Sequence, residues 1–214
     1  DERAPMCGVP FHSAEIYILK LINKGFKVAI CEQVEDPAIA KGIVKRDVIR
    51  VVTPGTITES SMLDEKKNNY LMCIYKRSYC FGISTVDIST GEFSSTSLNW
   101  GNTTGKLIDE IAKFSPSEIV VNSELYNDAE LSGNIRKRFN TYISALDDIF
   151  FSDNFAASKV KSHFKDVNMP HAGELDPFVN SSGALLEYLE QTQKVSLDHV
   201  RTINVYKSEE FMVL

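Results

Sequence analysis

A loop at residues 101–107 has the residue types of a phosphate-binding loop but not its spacing. Its sequence is GNTTGKL. A phosphate-binding loop needs four residues between its glycines and a Ser or Thr after the lysine, because its backbone amides surround phosphates and its hydroxyl binds Mg²⁺. Here three residues separate Gly101 from Gly105, and Leu107 cannot bind a metal. We therefore predict a polar loop that leads into a helix.

Histidines and cysteines are too scattered to predict a metal site. The four histidines and four cysteines include no HxxxH or CxxC pair, which are common zinc-ligand spacings. They are His12, His163, His171 and His199, and Cys7, Cys31, Cys73 and Cys80. We expect surface or hydrogen-bonded histidines, and buried free thiols of the kind found in a reducing compartment.

Asp87 is the candidate for a catalytic carboxylate. It ends a strand in a predicted strand–strand–strand–helix–strand order, which is the layout of ribonuclease-H-like folds. Active nucleases of that type hold two Mg²⁺ ions about 4 Å apart with several carboxylates. Glu118 lies at the very beginning of its predicted strand, and Asp147 and Asp148 lie in a loop, so partners for Asp87 are missing. A Mg²⁺-dependent nuclease stays the alternative function, and we expect Asp87 to hydrogen-bond within its own turn.

Positive charge is concentrated in one stretch, KGIVKRDVIR at residues 41–50, whereas the whole chain carries a net charge of −6. Residues 63–214 hold 15 Lys and Arg against 21 Asp and Glu, which accounts for that charge. A free-standing nucleic-acid binder usually has a basic face, so composition argues against strong DNA binding by the whole chain. Lys41, Lys45, Arg46 and Arg50 are either a solvated edge or a local site for duplex phosphates. A stand-alone duplex-binding module is therefore a third interpretation.

The elements that position these residues centre on residues 79–98. This stretch predicts two strands joined by a tight turn at residues 89–91, where Gly91 permits a positive φ. Both faces of the first strand carry apolar residues, which is typical of a central strand covered by helices on either side. Residues 70–75 predict a third antiparallel strand beside these two.

The rest of the chain alternates between helical and strand patterns. Helices are predicted at residues 12–24, 106–114, 128–139, 155–164 and 183–193, and strands at 27–33, 48–52, 118–121, 141–144, 201–206 and 211–214. This order predicts an α/β fold with a mixed sheet and helices on both faces. The polar residues 58–69 predict a linker after a small first domain.

Other sequence features limit where the protein acts. No apolar run approaches the roughly 20 residues that cross a bilayer, and the chain opens with no signal-peptide pattern. We expect a cytoplasmic protein without a membrane partner. The chain begins at Asp1 rather than Met and ends at Leu214 inside an apolar run, so we expect it to be a piece of a longer protein.

Several motifs along the chain carry a family resemblance. They are PMCGVPFH at residues 5–12, VAICEQVEDP at 28–37, RVVTPGT at 50–56, DISTGEF at 87–93 and LLEYLEQTQ at 185–193. In this order they closely resemble bacterial MutS, the DNA mismatch-recognition family. The resemblance covers essentially the full chain.

The resemblance implies a division of the chain into domains. Residues 1–60 would be the C-terminal part of mismatch-binding domain I, 61–69 a linker, 70–195 the connector domain II, and 196–214 the start of the core domain. In this family the connector has a ribonuclease-H-like fold without nuclease activity. The ATPase and dimerising domains have no counterpart here. The resemblance thus implies a non-enzymatic fragment without a cofactor, whereas the full-length homodimer would bind ATP and Mg²⁺.

The resemblance also implies part of a DNA site. Met6, Cys7 and Gly8 match the family's loop near the minor groove, and Lys41, Lys45 and Arg46 are the basic candidates. The family's Phe-x-Glu motif, whose ring wedges beside the mispaired base, does not occur in this sequence. An inserted aromatic ring helps to kink the duplex, so we expect this chain by itself to lack mismatch preference.

The family's connector receives MutL, the next repair protein, and relays between the ATPase and DNA-binding ends. The matching helix covers residues 155–164. The resemblance implies that Phe151, Val160 and Phe164 anchor it. Its exposed face would hold Ala157, Ser158 and Lys159, where relatives carry glutamines at the last two positions. We expect Ala157, Ser158, Lys159 and Val160 to bind the partner, with the lysine pairing to an acidic patch.

Overall fold

The N-terminal part of the chain folds as a helix packed on a two-stranded sheet. The computed structural model describes residues 9–40, 42–58, 63, 67–164, 176–194 and 196–208. A 3-10 turn at Phe11–Ser13 leads into α1 (Ala14–Ile22). Strand β1 (Val28–Gln33) pairs antiparallel with β2 (Arg46–Val52). Ile22, Val52 and Ile57 are buried together and form the small core of this part.

A six-stranded mixed sheet forms the larger part, in the order β7-β6-β3-β4-β5-β8. Strands β3 (Tyr70–Arg77), β4 (Cys80–Asp87) and β5 (Glu92–Leu98) are antiparallel neighbours. Strands β6 (Glu118–Val121) and β7 (Tyr142–Ala145) run parallel to β3 on its other side. The turn between β4 and β5 has Gly91 at a φ of 77°. The predicted central hairpin and its third strand are confirmed.

Helices cover both faces of this sheet, as predicted. Helices α2 (Thr103–Phe114), α3 (Ser123–Tyr126) and α4 (Ala129–Phe139) lie on one face. There Leu107 and Ile135 pack with Met72 in one core cluster. A 3-10 turn at Asp148–Phe151, α5 (Asp153–His163) and α6 (Pro177–Gln193) lie on the other face. Leu185 packs there with Leu71 in a second cluster.

Helix α6 begins at Pro177, six residues before the predicted start at 183. The apolar pattern missed these first turns because the side chains that they bury are polar. The Ser84 hydroxyl lies 2.7 Å from that of Ser181 and 2.9 Å from that of Ser182. A Cβ at Gly82 would lie 1.9 Å from the Pro177 carbonyl oxygen. Paired hydroxyls and a missing side chain thus let this helix approach β4 closely. An apolar pattern does not reveal such packing.

The predictions for the C-terminal strands and for the cysteines are only partly confirmed. The strand predicted at 201–206 is reduced to β8 (Asn204–Val205), and residues 211–214 lie outside the described residues. The expectation of buried thiols is wrong for Cys31, which is exposed. Among the described cysteines it holds fully only for Cys73, where burial raises the thiol pKa well above its usual range, and Cys7 lies outside the described residues. None of the described helices is long and apolar enough to span a membrane.

Candidate sites at the domain junction, on β2 and on α5

The turn at residues 53–56, which follows β2, is fixed against the start of β6 by a buried carboxylate. Glu118 is 1% exposed. Its Oε2 accepts hydrogen bonds from the Thr53 hydroxyl at 2.5 Å and from the backbone N–H of Gly55 at 3.1 Å. A Cβ at Gly55 would lie 2.9 Å from Leu71 Cδ1, so glycine permits this close approach. The two parts of the chain therefore meet through specific polar contacts.

The other carboxylate oxygen of Glu118 faces α6 and the start of β1. The Tyr188 hydroxyl donates to Oε1 at 2.7 Å, and Lys27 Nζ lies 3.7 Å from the same oxygen. Lys27 Nζ also donates to the Tyr188 hydroxyl at 2.9 Å. Burial, and then the neighbouring carboxylate, raise the pKa of Tyr188, so it stays a donor at neutral pH. We call Lys27, Thr53, Gly55, Glu118 and Tyr188 the junction network.

Two further hydrogen bonds hold the same turn from the larger part of the chain. Gln193 Nε2 donates to the Thr56 carbonyl oxygen at 3.1 Å, and Asn69 Nδ2 donates to the Pro54 carbonyl oxygen at 3.2 Å. A buried charge is tolerated where donors and an opposite charge satisfy it. This arrangement fixes the relative orientation of the two parts.

Sequence reasoning missed the junction network. It considered Glu118 only as a metal ligand. The available signal was a carboxylate that opens the otherwise apolar run Glu118–Val121, whose four residues are all buried. A charge in such a run requires partners, but the sequence does not show which residues supply them.

Asp87 is buried and takes part in its own turn, as expected. Its Oδ1 accepts hydrogen bonds from the Ser89 N–H at 2.9 Å and the Ser89 hydroxyl at 2.6 Å. Its Oδ2 accepts from the Asn69 N–H at 3.3 Å. No group of three or more His, Cys, Asp or Glu among the described residues could hold a metal ion. The geometry therefore gives the nuclease alternative no support.

Of the polar loop predicted at residues 101–107, only residues 101 and 102 precede α2, which begins at Thr103 rather than at the predicted residue 106. The Asn102 side chain accepts a hydrogen bond from the Gly105 N–H at 3.0 Å and caps the helix. Two histidines likewise have structural partners. His163 Nε2 lies 2.7 Å from the Val200 carbonyl oxygen, and His199 Nε2 lies 2.9 Å from that of Ile88.

The predicted DNA-binding residues fall into two groups. Met6, Cys7, Gly8 and Lys41 lie outside the described residues. Lys45 and Arg46 are exposed at the start of β2. Their surroundings are acidic, because Glu35 accepts a hydrogen bond from the Lys45 N–H and Glu32 faces Asp47 across the sheet. The fourth basic residue, Arg50, instead donates to the Thr56 carbonyl oxygen at 3.1 Å.

The predicted partner-binding residues on α5 do not share one exposed face. Ser158 is exposed and Ala157 is partly buried, whereas Val160 is fully buried in the core beside α6. The assignment of Val160 as a surface contact is therefore wrong. Phe151 and Phe164, expected as anchors, belong to the same core. An apolar residue on the face of a helix that packs on this core points into the protein and not toward a partner.

Lys159 is committed to contacts within the chain. Its Nζ lies 2.6 Å from Glu187 Oε2 and 2.6 Å from Glu190 Oε2, both on α6. Partial burial alone would lower the pKa of Lys159, but the hydrogen bonds that it donates to the two carboxylates raise the pKa. The lysine thus joins the two outer helices. Pairing with an acidic patch on a partner would require it to leave both carboxylates.

Comparison with known protein families gives two matches. Residues 1–61 match the model described as MutS domain I, and residues 69–201 match that of MutS domain II. The chain is 62% identical over 214 residues to the DNA mismatch repair protein MutS of Acetivibrio thermocellus. It is 57% identical to that of Ruminiclostridium cellulolyticum and 42% identical to that of Methanosarcina acetivorans.

Each of these three alignments covers 100% of this chain but only part of the relative. The chain spans 24% of the length of the first two relatives and 25% of the third. Among the described residues, the matched segments include the junction network.

Proposed function

Because the chain belongs to the MutS family of DNA mismatch repair proteins, we propose that it is a non-catalytic connector that relays between the DNA-binding and ATPase ends of a longer protein. In this proposal residues 1–60 form part of the mismatch-binding domain, and residues 70–195 form the connector that docks MutL. The fragment itself needs no cofactor. ATP, Mg²⁺, mismatched duplex DNA and the homodimer belong to the full-length cytoplasmic protein.

The junction network is the observation that carries this proposal. A relay requires that the DNA-binding part cannot rotate freely on the connector. Buried polar contacts supply that constraint, since breaking one leaves a donor or acceptor without a partner, at a cost of about 1–3 kcal/mol. Glu118 receives hydrogen bonds from Thr53 and Gly55 on one side and from Tyr188 on the other. A movement of α6 would therefore reach the turn at residues 53–56 directly.

The test of the relay uses the full-length protein with Glu118→Gln and Tyr188→Phe, singly and together. We expect both variants to reduce the change in mismatch affinity that ATP produces, while the ATPase rate without DNA stays within about twofold. Asp109→Asn, at an exposed position on α2, is the matched control. An unchanged nucleotide effect in the double variant, with the protein folded, would refute the relay.

Docking of MutL is proposed on the exposed surface of α5, around Ala157, Ser158 and Lys159. We expect Ser158→Arg, at an exposed position, to weaken binding of the MutL ATPase domain without a change in stability. Lys161→Glu, at another exposed position of the same helix, is the comparison for charge. Equal MutL affinity of the Ser158 variant and the parent would move the docking site away from this face.

DNA contact is proposed for Lys45 and Arg46, together with the loop at Met6, Cys7 and Gly8 and with Lys41. Each phosphate contact adds about 0.9 to the slope of log affinity against log salt concentration. The Lys45→Gln and Arg46→Gln double variant should therefore lower the slope of the full-length protein by about 2 if both residues contact phosphates. An unchanged slope would leave these residues as a solvated edge.

A further inference from the structure

A groove lies between α2 and α4, on the face of the sheet opposite α5 and α6. It consists of two adjoining depressions of about 430 Å³ and 300 Å³. Both depressions are lined by Thr104, Leu131 and Asn134, so they form one continuous feature. We call it the α2–α4 groove. It is separate from the junction network and from the surface proposed for MutL.

The middle of the α2–α4 groove is apolar and one end is aromatic. Ile108 is half-buried and Leu131 is 8% exposed, and both pack on the core cluster beneath. Tyr79 lines the end nearest the turn between β3 and β4 and is 86% exposed. Thr104 and Asn134 add side chains that can hydrogen-bond to a peptide backbone.

The opposite end of the groove is basic. Lys137 and Arg138 line it and are exposed. Neither has a carboxylate partner within 4 Å among the described residues, whereas Lys76 at the aromatic end pairs with Asp128 at 2.6 Å. Positive charge here contrasts with residues 63–214, whose net charge is −6. The apolar middle and the basic end lie about 10 Å apart along the axis of α4, because seven residues separate Leu131 from Arg138.

We propose that the α2–α4 groove binds a short acidic segment of a partner protein. Carboxylates of that segment would pair with Lys137 and Arg138, and an apolar side chain would cover Ile108 and Leu131. The charge distribution favours a peptide whose carboxylates lie at one end over nucleic acid, whose backbone is charged along its whole length, because Asp128 and Glu130 line the other end of the groove and would repel negative charge there. Charge pairing of this kind mainly sets specificity and the rate of association.

The test is a selection of random twelve-residue peptides displayed on phage, with the 214-residue chain as the target. Far-UV circular dichroism and cooperative thermal unfolding first confirm that the target is folded. We expect the enriched peptides to carry a net negative charge and at least one apolar residue. Lys137→Glu with Arg138→Glu should weaken a selected peptide, made synthetically with a fluorescent label, by at least about tenfold. Thr104→Trp, which fills the groove without a change in charge, should weaken the same peptide.

Matched controls separate the groove from other surfaces. Lys161→Glu removes an exposed positive charge on the opposite face and should leave peptide binding unchanged. Enriched peptides without net negative charge, or binding that survives both groove variants, would overturn the proposal. So would a labelled 20-base-pair duplex that binds the chain and is lost in the Lys137 and Arg138 double variant, because that outcome assigns the basic end to nucleic acid.

Discussion

The Tyr188 hydroxyl lies 2.7 Å from the Glu118 carboxylate, although 70 positions separate the two residues in the chain. Tyr188 is 5% exposed and Glu118 is 1% exposed, so water cannot replace either partner. This contact ties the long helix α6 to the strand β6, and through the same carboxylate to the turn at Thr53. Buried polar atoms thus contribute to the alignment of the first domain on the connector.

Tyr188→Phe tests the strength of that contact. The substitution leaves Glu118 buried with one donor fewer, so we expect a loss of about 1–3 kcal/mol in the free energy of unfolding. Urea denaturation of parent and variant measures it. Tyr79→Phe, at an 86% exposed tyrosine, should change stability by less than about 0.5 kcal/mol. Equal losses for the two variants would contradict the importance of the junction.

Gly82→Ala tests the close packing of α6 on β4. A Cβ would meet the Pro177 carbonyl oxygen at 1.9 Å, so we expect destabilisation of about 3 kcal/mol or more. Gly133 in α4 is the control, because a Cβ there meets nothing within 4 Å. Gly133→Ala should stabilise the helix by about 0.5–1 kcal/mol. Thermal melts that rank the two variants the other way would refute this packing.

Val160→Ala distinguishes a core residue from a surface contact. Val160 is fully buried, and the loss of two methyl groups should cost about 2 kcal/mol of stability. Ser158→Ala, two positions earlier and exposed, should cost less than about 0.5 kcal/mol. Chemical denaturation is the measurement. A variant of Val160 that keeps full stability but loses MutL binding would restore the original surface assignment.

We expect the contribution of the Lys159–Glu187 ion pair to the stability of the protein to depend on pH. Partial burial by itself would raise the pKa of Glu187, but the hydrogen bond from Lys159 lowers this pKa below its ordinary value. The contribution is therefore complete above the unfolded pKa of about 4.3 and is lost as pH falls through the folded value. The raised pKa of Lys159 keeps the contribution complete up to about pH 10.

Lys159→Met should accordingly lower Tm at pH 7 and lower it less at pH 3. Differential scanning calorimetry at both values measures the difference. Lys161→Met, whose lysine has no carboxylate within 4 Å among the described residues, should show a small shift that is nearly the same at both pH values. A Tm difference for Lys159→Met that does not shrink in acid would show that the lysine stabilises the helix pair by packing alone.

The reactivity of the cysteine thiols tests which of them are buried. The exposed Cys31 should react with a maleimide at pH 7, whereas Cys73 should react only after denaturation, because burial raises the pKa of its thiol well above the usual range. Mass spectrometry of the labelled peptides reads both sites. Labelling of Cys73 in the native protein would mean that the sheet opens locally.

The fold of this protein is largely determined by local patterns in its sequence. The two apolar faces of Cys80–Asp87, Gly91 in the following turn and the helical periodicity of 106–114 predicted the central strand, its hairpin and a covering helix. Short-range effects are sufficient there, because φ preferences and face periodicity act within one element. The family motifs identified MutS from the sequence, and the matching domain models confirm it.

Tertiary structure alone decided which polar residues belong to the interior. Glu118, Ser181 and Ser182 are hydrophilic in sequence yet buried, because partners far away in the chain satisfy each of them. The same reason explains the error at Val160, which faces the core, and the ion pairs that Lys159 makes with carboxylates of α6. A residue's type states what contacts it needs, and only the packed chain determines whether those contacts come from within the protein or remain available to a partner.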